Sequence, residues 1–312
     1  IIGDVMIDNY FWGKVKRISP EAPVPVISDL SDEKRLGGAS NVALNIRALG
    51  AIPILCSVIG NDEKGKVFLD LLKEEKLTDI GIIIDEERIT TQKTRIISNN
   101  QHLLRVDEEI DEKISPRSED KLISFIREVI NKKSIQSVLF QDYDKGVITT
   151  RLIEEVVKMA NSAKIPVLVD PKKKNFLSYK KVSLFKPNFK ELKEGLKADV
   201  DKSDMKDVAS LMEEFRKEQS IKNVMLTLSE LGIIVNHRNA YHHISAEVRD
   251  ITDVSGAGDT VISVAALCLG AKLNPLQTAA LSNLAGGQVC EKPGVVPVDK
   301  DQLLEEAKSI VV

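Results

Sequence analysis

The sequence predicts an α/β protein: a mostly parallel central sheet covered by helices on both faces, with a small second sheet beside it. Three observations carry this reading. Strand-like runs of four to eight residues alternate with helical stretches of ten or more, the order that builds parallel sheets. Two long helices, from Gly256 and from Pro275, close one side near the C-terminal end. Two segments, Asn9 to Leu30 and Ile80 to Val106, carry short β-like runs without a helix and belong outside the main sheet.

In chain order, Ile1 to Asp8 reads as the first strand. The prolines Pro20, Pro23 and Pro25 in Asn9 to Leu30 suit extended edge segments, because proline cannot donate to a sheet ladder. Asn41 to Leu49 is a helix, with Gly50 as its stop. Pro53 to Ile59 is a strand, and Lys64 to Lys76 a helix with Phe68, Leu71 and Leu72 at helical spacing. Ile80 to Val106 reads as strands of a lid. Val138 to Gln141 is a short strand, Thr149 to Ala163 a helix and Ile165 to Asp170 a strand. Asp204 to Ser220 is a helix, and Val224 to Leu228 is a strand. His243 to Val248 is β-like and leads to the helix from Gly256, where Val261, Val264, Ala265 and Cys268 fall at i, i+3, i+4 and i+7. There is no internal repeat. One domain, 1–312, is expected, with lid strands inserted at about 9–30 and 80–106.

Composition narrows the function. Lys and Arg number 44 against 47 Asp and Glu, a net charge of −3, which argues against nucleic-acid binding by bulk positive charge. Hydrophobic residues at 43 % and charged residues at 29 % argue against disorder and disulfide scaffolds. No apolar run approaches the roughly 18 residues of a membrane span, Val261 to Ala271 being the longest candidate. No charged region followed by an apolar stretch and cleavage site is visible, so a cytoplasmic protein is expected. The opening Ile-Ile-Gly-Asp, without Met, reads as the middle of a first strand. Cys56, Cys268 and Cys290 are odd in number and far apart, which suits reduced, buried thiols. His242 and His243 are adjacent in a strand and face opposite sides, so they form no easy metal pair.

The sharpest chemical feature is Asp253-Val-Ser-Gly-Ala-Gly-Asp259-Thr260. Gly256 and Gly258 allow close ligand approach, and the amides of Gly256, Ala257 and Gly258 would point out of a helix N-terminus, a ready site for phosphate. Asp259 in that turn would repel a phosphate but is well placed to take a proton from an attacking hydroxyl. The same string also fits a helix whose first turn merely carries a stabilising Asp. In Leu36-Gly-Gly-Ala-Ser-Asn41, Gly37 and Gly38 let a ligand touch backbone, and Asn41 can donate to and accept from sugar hydroxyls. That string fits equally a glycine turn with Ser40 capping the helix. Gly60-Asn-Asp-Glu-Lys-Gly65-Lys66 matches GxxxxGK, yet Val67 follows where a P-loop needs Ser or Thr, and Asp62 and Glu63 would oppose phosphate.

Together these residues resemble the ribokinase-like (PfkB) family of carbohydrate kinases. Asp253-x-Ser-Gly-Ala-Gly-Asp259 is similar to its C-terminal signature and Gly37-Gly38-x-x-Asn41 to its N-terminal one. Ile59-Gly60-x-Asp62-x-x-Gly65, Asn188-x-x-Glu191 and Thr227-x-Ser229-x-x-Gly232 are similar to further family elements. Gly3-Asp-Val-Met-Ile-Asp8-x-Tyr10, Arg17 to Pro25, Gln101-x-x-Leu-Arg105-x-Asp107, Gln141-Asp-Tyr-Asp-Lys-Gly146, Asp170-Pro-Lys172 and Lys186-Pro-Asn-Phe-Lys-Glu191 resemble its heptose-7-phosphate kinase branch. Ser255 stands where Thr is usual, and Ser40 where Ala is usual.

The resemblance implies a ribokinase-like three-layer α/β/α sandwich with a β-sheet lid. It implies transfer of a phosphoryl group from ATP to the C1 hydroxyl of D-glycero-β-D-manno-heptose 7-phosphate, for ADP-heptose and lipopolysaccharide core synthesis. Asp259 is then the base and the Gly256-Ala257-Gly258 amides the anion hole. Asp8, Gly37, Gly38 and Asn41 hold sugar hydroxyls. Lys145, Lys172, Lys93, Arg95 and Arg105 are candidates for the sugar's own phosphate, Arg105 first because a planar fork suits phosphate. Asp142 would orient Lys145 or a hydroxyl. Asn188, Glu191, Thr227, Ser229, Gly232 and Asn283 fall on the nucleotide side, with Glu191 holding Mg²⁺ through water; the Asn188–Glu191 pair also fits a plain capping box. A monovalent cation such as K⁺ near Asp253 and Gly294, and a homodimer through the lid strands, are further expectations. Many relatives carry a fused nucleotidyltransferase; this chain has no HxGH motif and reads as the single-activity form or a fragment of the fused one. Two other readings stay open: a kinase of the same family for another sugar, sugar phosphate or nucleoside, and a non-catalytic sugar- or nucleotide-binding regulator.

Overall fold

The chain begins inside the sheet and builds outward on both sides of its first strand. The computed structural model describes residues 1–98, 101–132, 134–237 and 240–309. Its strands in chain order are β1 (Ile2–Gly3), β2 (Val5–Ile18), β3 (Pro25–Gly38), β4 (Ser57–Gly60), β5 (Ile82–Asp85), β6 (Gln92–Ser98), β7 (Gln101–Glu108), β8 (Val138–Gln141), β9 (Val167–Asp170), β10 (Leu184–Phe185), β11 (Asn223–Thr227), β12 (Ile233–His237) and β13 (Ala240–Ile244). The helices are α1 (Ala39–Ala48), α2 (Glu63–Glu74), α3 (Pro116–Lys132), α4 (Thr150–Ser162), α5 (Phe189–Leu196), α6 (Met205–Glu218), α7 (Ala257–Gly270), α8 (Pro275–Cys290) and α9 (Lys300–Ala307).

The main sheet runs β1-β8-β9-β10-β11-β12-β13, parallel through β11 and antiparallel for the last two. A parallel bridge from Ile2 to Cys56 joins the β4–β5 ladder to the other side of β1. The strand order therefore reverses at β1, and ligands of open α/β sheets bind at the carboxyl ends beside such a reversal. One face of the sheet buries Leu122 and Ile126 of α3, Leu152 and Val156 of α4, and Val208 and Met212 of α6. The other buries Val42 and Ile46 of α1, Val261, Ile262 and Ala265 of α7, and Ala279 of α8. The helix starts are fixed by side-chain caps, among them Asp62, Thr149, Asn188, Asp204 and Asn274.

The second sheet is ordered β3-β2-β6-β7. β2 serves both layers: its residues are buried from Val5 to Tyr10 and then alternate along a solvated lid strand. Two sequence expectations change here. The first lid segment does not end at Leu30, because β3 runs back to Gly38 in register with β2. The second begins later than Ile80, because Ile82–Asp85 pairs with β4 and only β6 and β7 join the lid; Asn99 and Asn100 lie outside the described residues. The β-like reading of His243 to Val248 holds only to Ile244, and 245–250 has no regular structure. Helix α3 occupies a stretch to which the sequence reading assigns no element.

Candidate active site

The parallel register itself assembles the floor of the cleft. Gln141, the last residue of β8, pairs with Asp170, the last of β9, and Lys186 follows β10 directly. The Lys186 ammonium meets Asp170 Oδ2 at 3.0 Å, and both side chains are almost fully buried. Above them stands the start of α7. Gly256 takes the N-cap position with φ 81°, a left-handed conformation that glycine adopts without penalty. A Cβ on Gly258 would stand 3.8 Å from Lys186 Nζ, so the helix opens directly over that buried cation.

Asp259 projects from this turn into a ring of donors. Asn41 Nδ2 donates to Oδ2 at 2.7 Å; Tyr143 Oη and Gln141 Nε2 donate to Oδ1 at 2.7 and 3.0 Å. Burial pushes the carboxyl up to about 6, Asp170 adds to this, and the Asn41 and Tyr143 hydrogen bonds with the Lys186 charge pull it back. At neutral pH the group is thus mostly ionised and close to the proton-transfer range. Asn41 Oδ1 and Gln141 Oε1 are buried with no partner among the described residues, two acceptors beside the carboxylate. The anion cradle is narrower than the sequence reading has it: the Ala257 amide donates to Val254 O at 3.3 Å, which leaves the amides of Gly256 and Gly258 as the donors.

The sugar side gathers at the base of the lid. Asp8 on β2 is paired with Arg95 of β6, and a Cβ on Gly37 would come within 2.2 Å of Asp8 Oδ2. Gly38 has φ 61°, and its absent Cβ makes room for Asp4 O. Ser40 does not cap α1; the N-cap is Gly38, and the Ser40 hydroxyl donates back to Gly37 O at 2.6 Å. Tyr10 lies between the guanidiniums of Arg35 and Arg95, at 5.1 and 5.2 Å. Lys93 and Lys145 share Glu109, at 2.7 and 2.6 Å. Asp4, fully buried, accepts the amides of Tyr143, Lys145 and Val147 at 2.9, 3.2 and 3.0 Å and so fastens the loop that carries Tyr143.

Two sequence candidates take other protein partners here. Arg105, on lid strand β7, stands directly across from Arg95 in the β6–β7 register, with its side chain 61 % exposed and bonded to Asp107. Asp142 does not orient Lys145; it accepts from Tyr179 Oη at 2.8 Å and Asn175 Nδ2 at 3.0 Å, and burial beside Asp4 pushes it up to about 6.

Of the residues expected on the nucleotide side, Asn188 and Glu191 form a full capping box on α5, at 2.8 Å in both directions. Glu191 also pairs with Lys172, whose ammonium lies 5.7 Å over the Tyr143 ring. Burial opposes the Lys172 charge, but Asp170 and Glu191 outweigh it and raise its pKa. Thr227 bridges Asn188, Ser229 opens the turn that follows, and Gly232, with φ 89°, packs its α-carbon against the carbonyl of Ile244. Asn283 donates to Ser245 O at 2.9 Å, so these residues line one connected wall. The donor set fits a phosphate chain. For Mg²⁺, both Glu191 oxygens are engaged, and among the described residues no group of three or more His, Cys, Asp or Glu could hold an ion, so Mg²⁺ would enter with ATP and meet Glu191 through water. Asp253 turns its oxygens to the amides of Ser255 and Gly294, at 2.9 and 3.0 Å. The GxxxxGK string is a capped turn: Asp62 accepts from Gly65 N, Thr90 N and Thr90 Oγ1.

Gln141, Tyr143, Asp170 and Lys186 occur in the quoted strings, but no role is read for them from sequence. The signal for three of them is positional: they stand at or just beyond strand carboxyl ends.

A phosphate cradle facing an ionised carboxylate across the strand ends is the arrangement of a kinase for small hydroxylic substrates. Residues 1–301 match the pfkB family carbohydrate kinase; the chain belongs to that family and is a sugar kinase. The bifunctional protein HldE of Aliarcobacter butzleri is 36 % identical over 310 residues, covering 99 % of this chain and 64 % of the relative. That of Wolinella succinogenes is 40 % identical over 308 residues, covering 98 % and 63 %. The chain thus spans somewhat under two thirds of these relatives' length. Phosphofructokinase-2 from Escherichia coli shares the fold, with a TM-score of 0.80 at 16 % identity in its complex with potassium, over 98 % of this chain and 96 % of that one. Its fructose-6-phosphate complex gives 0.78 at 16 %, with the same coverage of both chains. Among the described residues no helix is long and apolar enough to cross a membrane.

Proposed function

We propose that the chain transfers the γ-phosphoryl group of ATP to the C1 hydroxyl of D-glycero-β-D-manno-heptose 7-phosphate, giving the 1,7-bisphosphate for ADP-heptose and lipopolysaccharide core synthesis. The observation that carries the reaction type is the Asp259 carboxylate, ionised, buried and held by Asn41, Gln141 and Tyr143 beside the Gly256 and Gly258 amides. The heptose assignment rests on the similarity to the HldE proteins and on the branch-specific strings.

Asp259 takes the C1 proton as the oxygen's electron pair bonds to the γ-phosphorus; the bond from that phosphorus to the ADP oxygen breaks and its pair leaves with ADP. A late proton transfer in a loose transition state suits a carboxylate base. The Gly256 and Gly258 amides and Lys186 receive the charge that develops on the phosphoryl oxygens, a role in which one donor is worth roughly 10²–10³ in rate. Asp8 and Asn41 hold sugar hydroxyls, and Gly37 and Gly38 leave them room. We assign the distal phosphate to Lys93, Arg95 and Lys145, which the fold gathers at the lid base. Lys172, Asn188, Glu191, Thr227, Ser229, Gly232 and Asn283 line the ATP side, and bound Mg²⁺ would screen the phosphates. A K⁺ near Asp253 and Gly294, suggested by the potassium-bound phosphofructokinase-2, would rest on the outer lone pairs of Asp253 and on carbonyl oxygens. Lid closure would exclude water from ATP.

Phosphorus NMR of a sugar panel with ATP and Mg²⁺ tests the reading. The panel holds β-configured heptose 7-phosphate, fructose 6-phosphate, fructose 1-phosphate, ribose and adenosine. A new anomeric phosphate on the heptose alone is expected. Turnover of another acceptor keeps the mechanism and sinks the heptose assignment, and no turnover with any acceptor points to a binding-only protein.

A further inference from the structure

We infer that Tyr143 and Gln141 select the oxygen of Asp259 that takes the proton: they fill Oδ1, and Oδ2 is the base. The inference deepens the reading of Asp259 given above and rests on it. A carboxylate oxygen offers two lone-pair sites. Tyr143 Oη and Gln141 Nε2 both donate to Oδ1, at 2.7 and 3.0 Å. Among the described residues Oδ2 receives Asn41 Nδ2 alone, at 2.7 Å, and so keeps one site open. The amide orientations follow from chemistry, since only the N–H edge of Asn or Gln can face a carboxylate.

Both donors are held in place. The Tyr143 backbone amide is fixed on Asp4, and its ring lies under the Lys172 ammonium. Gln141 ends β8 in register with Asp170, to which Nε2 also reaches at 3.3 Å. Burial and the Asp259 charge keep the Tyr143 phenol protonated far above neutrality, so it is always a donor. The other charged groups facing Asp259 are Asp170, Lys186 and Lys172. Donation to the ionised carboxylate favours that form, so the pair holds the base charged against its burial. In the transfer step the C1 O–H bond breaks to Oδ2, the oxygen bonds to phosphorus, and the leaving pair departs with ADP. Tyr143 and Gln141 touch no reacting atom; they are positioning residues.

The test is the pH profile of kcat for Tyr143→Phe and Gln141→Met, each checked by thermal melting. The acidic limb is expected to move up by roughly one pH unit in each variant, the size that follows from losing one hydrogen bond to a charged group. Substrate phosphates titrate alike in all the enzymes, so the displacement belongs to the protein. A limb that stays in place while only the plateau falls, in a variant that melts like the parent, overturns the inference; if Tyr143→Phe does not fold, Gln141→Met decides alone. Asp259→Asn separates the two levels. Retained turnover there removes the base reading and this inference with it, whereas an inactive Asp259→Asn with unmoved limbs in the other two removes this inference only.

Discussion

At the residue scale the molecule holds Asp259 in a state that costs stability. Its folded value, about 6, lies above the ordinary 3.8. Between those values the folded state binds more protons than the unfolded one, so this contribution is complete below 3.8 and is lost as pH rises through about 6. Asp259→Asn removes the penalty, and Asn41 can turn its amide to satisfy the new side chain. Calorimetry at pH 8 should show the variant more stable, by up to about 3 kcal/mol, with the advantage gone at about pH 3. Its kcat should fall by roughly 10²–10⁴, the worth of a general base. A variant less stable than the parent at pH 8 would contradict the burial argument. Gly38 is the second sensitive residue. Its φ is 61°, and Asp4 O lies only 2.4 Å from the point a Cβ would occupy. Gly38→Ala should therefore lower stability by about 1–3 kcal/mol in denaturant titration. The glycine pair and Asp259 were legible because their motifs are local in sequence. Gln141, Asp170 and Lys186 acquire a site only when parallel register sets three strand ends side by side, and that juxtaposition has no local spacing to reveal it. Arg105 shows the same limit: its chemistry suits phosphate, but no local pattern says that it stands across from Arg95 and bonds to Asp107.

At the element scale one short helix carries both a cap and the carboxylate proposed for the nucleotide side. The capping box of α5 uses Asn188 and Glu191, and Lys172 binds the same carboxylate. Sequence left two readings of this pair, a cap and a nucleotide element, and the geometry establishes the cap without removing the other. Substitution separates them. Asn188→Ala should lower stability by about 1 kcal/mol, the usual worth of an N-cap. Glu191→Gln keeps an acceptor for the Asn188 amide but leaves Lys172 unbalanced; its melting temperature should stay near the parent's while KM for MgATP changes several-fold. An unchanged KM would confine the pair to capping. The same scale explains why the lid boundaries shift from their expected positions. Ile82–Asp85 and Gln92–Ser98 are both short strands in sequence, and nothing in their composition states that the first pairs with β4 and the second with β2.

At the scale of the whole molecule the lid sheet has a second face to account for. The core covers its sheet with helices on both sides, and the lid meets α1 and α2 at β2 and β3. Trp12, Ile18, Leu30, Leu103, Leu104 and Val106 are exposed on lid strands, and Val24 on the turn between β2 and β3. Exposed apolar strands and open edges invite pairing with another sheet, and natural proteins cover them or pair them. We assign the cover to the lid of a second copy. The two lids would then support each other over their clefts, so that assembly bears on sugar binding through Asp8 and Arg95 at the lid base. Sedimentation velocity should give a species of twice 34.5 kDa. Leu104→Glu, on an exposed strand position, should shift it to the monomer and raise KM for the sugar more than KM for ATP, because the wall proposed for ATP is built from α5, β11, the turn after β11 and α8, and not from the lid. A 34.5 kDa species at every loading concentration would remove the assignment. A monomeric Leu104→Glu with unchanged sugar KM would keep the dimer but sever it from the cleft.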